Sequence, residues 1–294
     1  MRANFLGCLI SGICIGCSSE IPMPEIRQQK EESLPKLELI VAKTDNATLP
    51  LFYLDKVEAM PDYYQMQQGL PASGSQYCGP ASAANALIWL DSNGFGDMVE
   101  GDANNPQARL NLVKMLGDNN HMHTGNSGTP VCFLMHGLEK YIKERGYEVI
   151  IQHKGSRGYR ADKHAGDLID VPWLMESITG SSNVILNVGF YKYDKGNDRY
   201  LRLVGHYVSV AGYDFREGCQ LVIHDPSPRS GKEAKHEHCS LAAIESGRLV
   251  ERFGEKEKVR DSKGCWILKG LSLKKGSSAA VIDSAVRFGV SQGK

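Results

Sequence analysis

Cys78-Gly79-Pro80-Ala81-Ser82 puts a thiol at the head of an apolar run that continues to Leu90. Gly79 and Pro80 permit a sharp entry into a helix, because the N–H that proline lacks has no partner in the first turn. Ala84, Leu87 and Ile88 recur at helical spacing as a buried stripe, and Asn93-Gly94 ends the run. A cysteine at a helix start faces the positive end of the dipole. That favours thiolate over thiol and makes the sulfur a nucleophile near neutral pH. The plainer alternative is a buried structural cysteine. Nucleophilic chemistry needs a base from elsewhere in the chain.

Residues 206–213 and 219–224 are two runs of β-branched and aromatic residues, separated by the five residues Asp214-Phe215-Arg216-Glu217-Gly218. They read as a β-hairpin. With the loop centred on Arg216, antiparallel pairing sets residue 206 opposite 226, give or take one. His206 and Asp225 then lie side by side at the open end. A base and the carboxylate that fixes its tautomer require that arrangement. Taken singly, His206 is an ordinary polar strand end and Asp225-Pro226 an ordinary turn starter. His224 points to the opposite face of its strand, which makes it the weaker choice of base. His121 with His123, and His236 with His238 and Cys239, lie in polar stretches that read as surface, so no metal is expected. Asn187 reads as a polar core residue.

The elements that must position these groups come in two blocks. Helical spacing covers 106–116 and 131–145, the latter closed by Gly146, and a short helix covers 171–178. A strand is expected at 148–153. The pattern then switches to period two at 183–190, 206–213 and 219–224, with a further strand at 265–273. Residues 230–263 are highly charged and read as a long surface connection with a short helix at 241–248. Residues 278–288 read as a terminal amphipathic helix. Helices first and strands afterwards define an α+β domain.

The combination of Cys78-Gly79-Pro80-Ala81-Ser82, Gly205-His206-Tyr207-Val208 with Gly212-Tyr213-Asp214, and Asp225-Pro226 resembles the papain-like cysteine peptidases. It is closest to relatives of the bacteriocin-leader-processing (double-glycine) peptidases, and spans residues 60–228. The resemblance implies a papain-like fold, with the nucleophile's helix packed on an antiparallel sheet. It makes Cys78 the nucleophile, His206 the base and Asp225 its orienter, with no cofactor. It also implies a glutamine that donates to the oxyanion hole. The usual place, six residues before the cysteine, is Ala72 here, a departure. Pro61-Asp62-Tyr63-Tyr64-Gln65 resembles the longer-looped pattern and favours Gln65, while Gln76, Gln68 and Gln67 compete. The same logic of groups serves cell-wall amidases and acyltransferases, and a scaffold that has lost activity serves as a binding module.

The chain has 294 residues, with 34 Lys+Arg against 34 Asp+Glu, so net charge gives no case for nucleic acid. Residues 1–17 have a short basic start and an apolar run too short to span a bilayer, the form of a secretory signal peptide. The end, Cys14-Ile15-Gly16-Cys17, resembles the bacterial lipobox, with Cys14 where leucine is usual. Lipid on Cys17 and membrane attachment of an exported protein follow from that resemblance. Residues 18–48 read as a polar tether and 49–294 as the peptidase domain. Of eight cysteines, five lie in the body of the chain. In an oxidising compartment, Cys132, Cys219, Cys239 and Cys265 are expected to form two disulfides and leave Cys78 free.

Overall fold

The computed structural model describes residues 49–157, 167–229 and 236–293. Helix α1 (Cys78–Asp91) is small or apolar on every side, and residues 79–90 are all buried. A helix of that kind belongs inside a core. Helix α2 (Pro106–Gly117) starts at a proline and is capped by Asn105, whose side chain accepts from Gln107 N. Helix α3 (Val131–Glu144) is amphipathic and buries Leu134, Leu138, Tyr141 and Ile142. Helix α4 (Val171–Ile178) is capped by Asp170, which accepts from Trp173 N at 2.8 Å.

Ten strands follow in chain order: β1 (Phe52–Tyr53), β2 (Tyr147–Gly155), β3 (Ser182–Asp194), β4 (Arg199–Asp214), β5 (Gln220–His224), β6 (Glu237–Ala243), β7 (Arg248–Phe253), β8 (Lys256–Asp261), β9 (Trp266–Lys269) and β10 (Ala279–Gln292). Six close on themselves: β3 pairs with β4, then β5, β6, β9 and β10, and β10 returns to β3. All six pairings are antiparallel. Strand β2 extends the sheet beyond β10, and the β7–β8 hairpin joins β4 through a short parallel pairing.

Strand alternation sorts side chains between two cores. Val184, Leu186, Val188, Phe190, Val208, Val210, Leu221, Ile223 and Cys239 fill the barrel. Ile185, Tyr207, Ala211, Val286 and Phe288 face outward and pack against the helical layer. Burying each large aliphatic side chain contributes about 1.5–3 kcal/mol. The two cores therefore clamp β3 and β4 from both sides, and β4 carries His206.

Three expectations are corrected. Residues 278–288 are not a helix: from Ala279 on they belong to β10, a strand buried on both faces. Residues 230–263 are not a loop with a short helix: their described part carries β6, β7 and β8. Cys132, Cys219, Cys239 and Cys265 are all free, as is Cys78. Cys132 lies on the surface of α3, whereas Cys239 and Cys265 are buried in separate clusters. The leader, Cys17 and the tether lie outside the described residues. Among the described residues, no helix is long and apolar enough to cross a membrane.

Candidate active site

Cys78 is the first residue of α1, which packs against both α2 and β4. Gly79 permits this docking: a Cβ there would sit 3.1 Å from Thr129 Oγ1 and 3.4 Å from the Tyr207 ring. Tyr207 OH donates to Thr129 O at 2.9 Å, and Ser209 Oγ donates to Ser82 O at 2.9 Å. The second bond pins α1 to β4, and the first ties β4 to the loop that precedes α3. Cys78 itself is partly exposed.

His206 is buried, and its Nε2 lies 2.5 Å from Asp225 Oδ1. The other neighbour of the ring is Cys78, close enough for His206 to act on its thiol. With Nε2 engaged by the carboxylate, Nδ1 is the nitrogen left for sulfur. The β4–β5 ladder is bulged between Val210 and Gly212 and ends at Ser209 opposite His224. One further step puts residue 225 opposite 208, so Asp225 reaches His206 diagonally. His224 faces the other way. Its Nε2 meets His236 Nδ1 at 2.8 Å and its Nδ1 lies 3.3 Å from Pro61 O. Burial beside His236 pulls its pKa down to about 4.

The electrostatics of the pair oppose burial and win. Burial pushes the Cys78 thiol up, but the hydrogen bond and charge of His206, with the main-chain N–H groups of Tyr207 and Gly79, bring it below the ordinary thiol value. Burial also pulls His206 down, yet the charge and hydrogen bond of Asp225, with Cys78, raise it to about 9. Asp225 is pushed up by burial and brought down further by His206, Arg229 and Ser227 N. A thiolate beside an imidazolium is the form these neighbours favour.

Several supporting side chains carry no sequence signature. The Phe190 ring stacks on His206 with centroids 6.1 Å apart, and the Arg229 guanidinium lies 4.6 Å over Phe190 from its other contact. Arg229 Nη2 is 3.9 Å from Asp225 Oδ2, and Arg229 Nε donates to Ser272 O at 3.2 Å. Ser227 N donates to Asp225 Oδ1 at 2.9 Å. The spacing Asp225-x-x-x-Arg229 identifies a pair only once the loop is known to turn back.

The glutamines divide. Gln65 is 5% exposed and its Nε2 donates to Gly74 O at 3.0 Å and Ser75 O at 3.2 Å. Both amide hydrogens thus hold the turn before Cys78. That turn contains Ala72 and Ser73 at φ 46° and 50°, and Gly74 at φ 81°. A Cβ on Gly74 would lie 1.9 Å from Gln65 O, so only glycine fits. Gln65 N also donates to Pro226 O, and Tyr63 N to Asn85 Oδ1 on α1, so one segment braces both the Asp225 loop and the helix. Gln76 is partly exposed beside Gly128, and its side chain makes no hydrogen bond among the described residues.

The other histidines are placed apart. His121 is held by Asp118 at 3.0 Å and Glu144 at 2.8 Å, and His123 lies against the Phe133 ring. His238 and Cys239 are neighbours on β6 and point to opposite faces. Among the described residues, no three such donors are grouped as a metal ion would need. Asn187 is buried on β3 opposite Tyr207.

The fold is consistent with a papain-like cysteine peptidase related to the C39 peptidases. The chain belongs to the Peptidase_C39 like family, whose model matches residues 57–245. No curated protein sequence matches the chain.

Proposed function

We propose that the protein is a cysteine peptidase in which Cys78 attacks the scissile carbonyl, His206 moves the protons and Asp225 orients His206. The observation that carries this reading is the contact chain from Cys78 through His206 to Asp225, in which one imidazole ring bridges thiol and carboxylate. Thiolate attack makes a tetrahedral intermediate, and the imidazolium protonates the leaving amine. His206, now neutral, removes a proton from water, which attacks the thioester and frees Cys78. The family supports a peptide or protein as substrate.

Two donors would meet the developing oxyanion: Cys78 N–H and a glutamine amide. In this structure Gln65 is committed to the turn, so it serves as donor only by giving up a carbonyl, whereas Gln76 has its amide to offer. Both remain assigned to the test below. Export, cleavage before Cys17 and lipid attachment belong to the same reading. They rest on the basic start, the short apolar run and Gly16-Cys17. An unmodified residue beyond Cys17 at the mature N-terminus, read by mass spectrometry, would remove that part alone.

The deciding experiment is incubation of the purified protein with a peptide library and with peptidoglycan fragments, followed by mass analysis of products. Peptide cleavage that disappears in Cys78→Ala supports the reading. Release of cell-wall fragments only would move the protein to the amidases, and no product from either, with inert Cys78, to the binding modules.

A further inference from the structure

Asp225 follows β5 with one oxygen engaged and the other without a hydrogen bond. Oδ1 takes the His206 Nε2 contact at 2.5 Å and the Ser227 N–H at 2.9 Å. Oδ2 is buried and accepts no hydrogen bond among the described residues. A carboxylate spreads its charge over both oxygens, and taking that charge out of water is costly unless opposite charge faces it. His206 meets Oδ1. The cation beside Oδ2 is Arg229, whose Nη2 lies 3.9 Å away.

Two consecutive turns bring the guanidinium back over the carboxylate. Ser227 N donates to Asp225 Oδ1, and Arg229 N donates to Ser227 Oγ at 3.0 Å, so the segment winds on itself in two-residue steps. The side chain is then held at three points. Arg229 Nε donates to Ser272 O at 3.2 Å, the guanidinium lies 4.6 Å from the centre of the Phe190 ring, and Nη2 is turned to Asp225. Phe190 is fully buried and stacks on His206. Arg229 therefore borders the His206–Asp225 pair twice, at the carboxylate by charge and at the imidazole through an aromatic ring.

Tethering the loop to residue 272 explains the Nε contact. It does not explain Nη2, which is buried beside Oδ2 and makes no hydrogen bond among the described residues. Arginine keeps its charge at every working pH, so the guanidinium is a fixed counter-ion for Asp225. Burial pushes the Asp225 carboxyl up, and His206 first, then Arg229 and Ser227 N, bring it down. A carboxylate that swung away, or that took the Nε2 proton, would no longer support the imidazolium. The Cys78 thiolate would then lose its partner.

We infer that Arg229 is a positioning residue of the reactive centre, acting on His206 through Asp225 Oδ2 and holding the carboxylate turned so that Oδ1 meets Nε2. Its guanidinium takes no part in proton transfer. The inference rests on the peptidase reading above and adds to it a fourth side chain, on whose charge the other three depend.

The test is a double-substitution cycle in the full chain. It is read by peptide cleavage and by the rate at which iodoacetamide alkylates Cys78 at about pH 6. Arg229→Met is expected to lower kcat roughly tenfold or more with KM within about twofold, and Arg229→Lys to recover part of the loss. In an Asp225→Asn background, where there is no carboxylate charge to hold, Arg229→Met should cost less than about twofold more. Alkylation, followed on the peptide that carries Cys78, should slow in Arg229→Met and slow no further in the double variant. An Arg229 that only staples the loop would give equal factors in both backgrounds, or a lower thermal midpoint with kcat unchanged. Either result overturns the inference, and with wild-type cleavage intact it leaves the peptidase standing. Should Arg229→Met fail to fold, Arg229→Gln completes the cycle and the same comparison decides. No cleavage by the wild type, with the alkylation cycle still non-additive, overturns the peptidase and keeps Arg229 as the holder of Asp225. No cleavage with additive alkylation effects overturns both.

Discussion

Asp225 Oδ1 meets His206 Nε2 at 2.5 Å although the ladder between their strands is out of step by one residue at Ala211. The bulge does not part them, because a carboxylate beyond the end of β5 reaches diagonally across to the ring. His206 and Asp225 are fixed to one barrel rim, and Cys78 is brought to them by α1.

Activity should follow a bell against pH. The thiolate–imidazolium form is required, so kcat/KM rises as pH passes the lowered value of Cys78 and falls as His206 deprotonates at about 9. The two limbs belong to the coupled pair rather than to either residue. Stability moves with the same groups. His206 is held above its ordinary 6.5, so its contribution is complete below pH 6.5 and is lost as pH rises through about 9. Asp225 is held below 3.8, so its contribution is present above that value and is lost as pH falls through the lowered one. A profile flat from pH 5 to 10 would contradict the ion pair.

Substitution should separate the roles. Cys78→Ala and His206→Ala are each expected to lower kcat by roughly four orders of magnitude or more. Asp225→Asn should cost between about 10²- and 10⁴-fold, since its effect passes through the ring. Thermal midpoints of Cys78→Ala and wild type should agree closely, because the change is small and partly exposed. Wild-type turnover in His206→Ala would end the assignment.

The two glutamines are distinguished by measuring stability and rate together. Gln65→Ala removes two hydrogen bonds that hold the Gly74 and Ser75 carbonyls, and should lower unfolding free energy by about 1–3 kcal/mol. Gln76→Ala should leave stability unchanged within about 0.5 kcal/mol. If Gln76 serves the oxyanion, kcat should drop on the order of 10²-fold with KM little altered. A fall in kcat without loss of stability in Gln65→Ala would instead make Gln65 the donor.

All five body cysteines should be alkylated on unfolding without reductant, giving five adducts in the peptides of residues 49–294. Under native conditions Cys78 should react first and Cys239 last, since burial pushes the Cys239 thiol up to about 12. Fewer adducts without reductant than with it would reveal a disulfide.

The helices and the His206–Asp225 hairpin are legible in sequence because they keep one clear period. Val171–Ile178 has a proline start and an Asp cap, and β5 is a short β-branched run that sends Leu221 and Ile223 into the barrel. Strand β10 defeats the same reading: Ala280, Ile282 and Ala285 enter the barrel while Val286 and Phe288 enter the helical core, so no polar face marks the period. In β7 and β8 the misleading residues are Glu251 and Arg260. Charge there signals surface, yet both are largely buried, with Glu251 ion-paired to Arg260 and to Arg202. Asp225 was legible by hairpin arithmetic, whereas Arg229 depends on a loop conformation that no local pattern encodes.

The barrel is closed by β10, which pairs with β3 across nearly a hundred residues of chain and lies, with β9, beyond residue 245, where the family match ends. The seam therefore cannot form until the final strand has left the ribosome. Everything needed for the Cys78–His206–Asp225 contact is made earlier, but the sheet that holds two of the three stays open. Long-range antiparallel closure is slow compared with helix formation, so folding should wait on the C-terminal segment. A chain cut after residue 270 is expected to remain an open, aggregation-prone sheet, even though it contains every residue proposed to do chemistry.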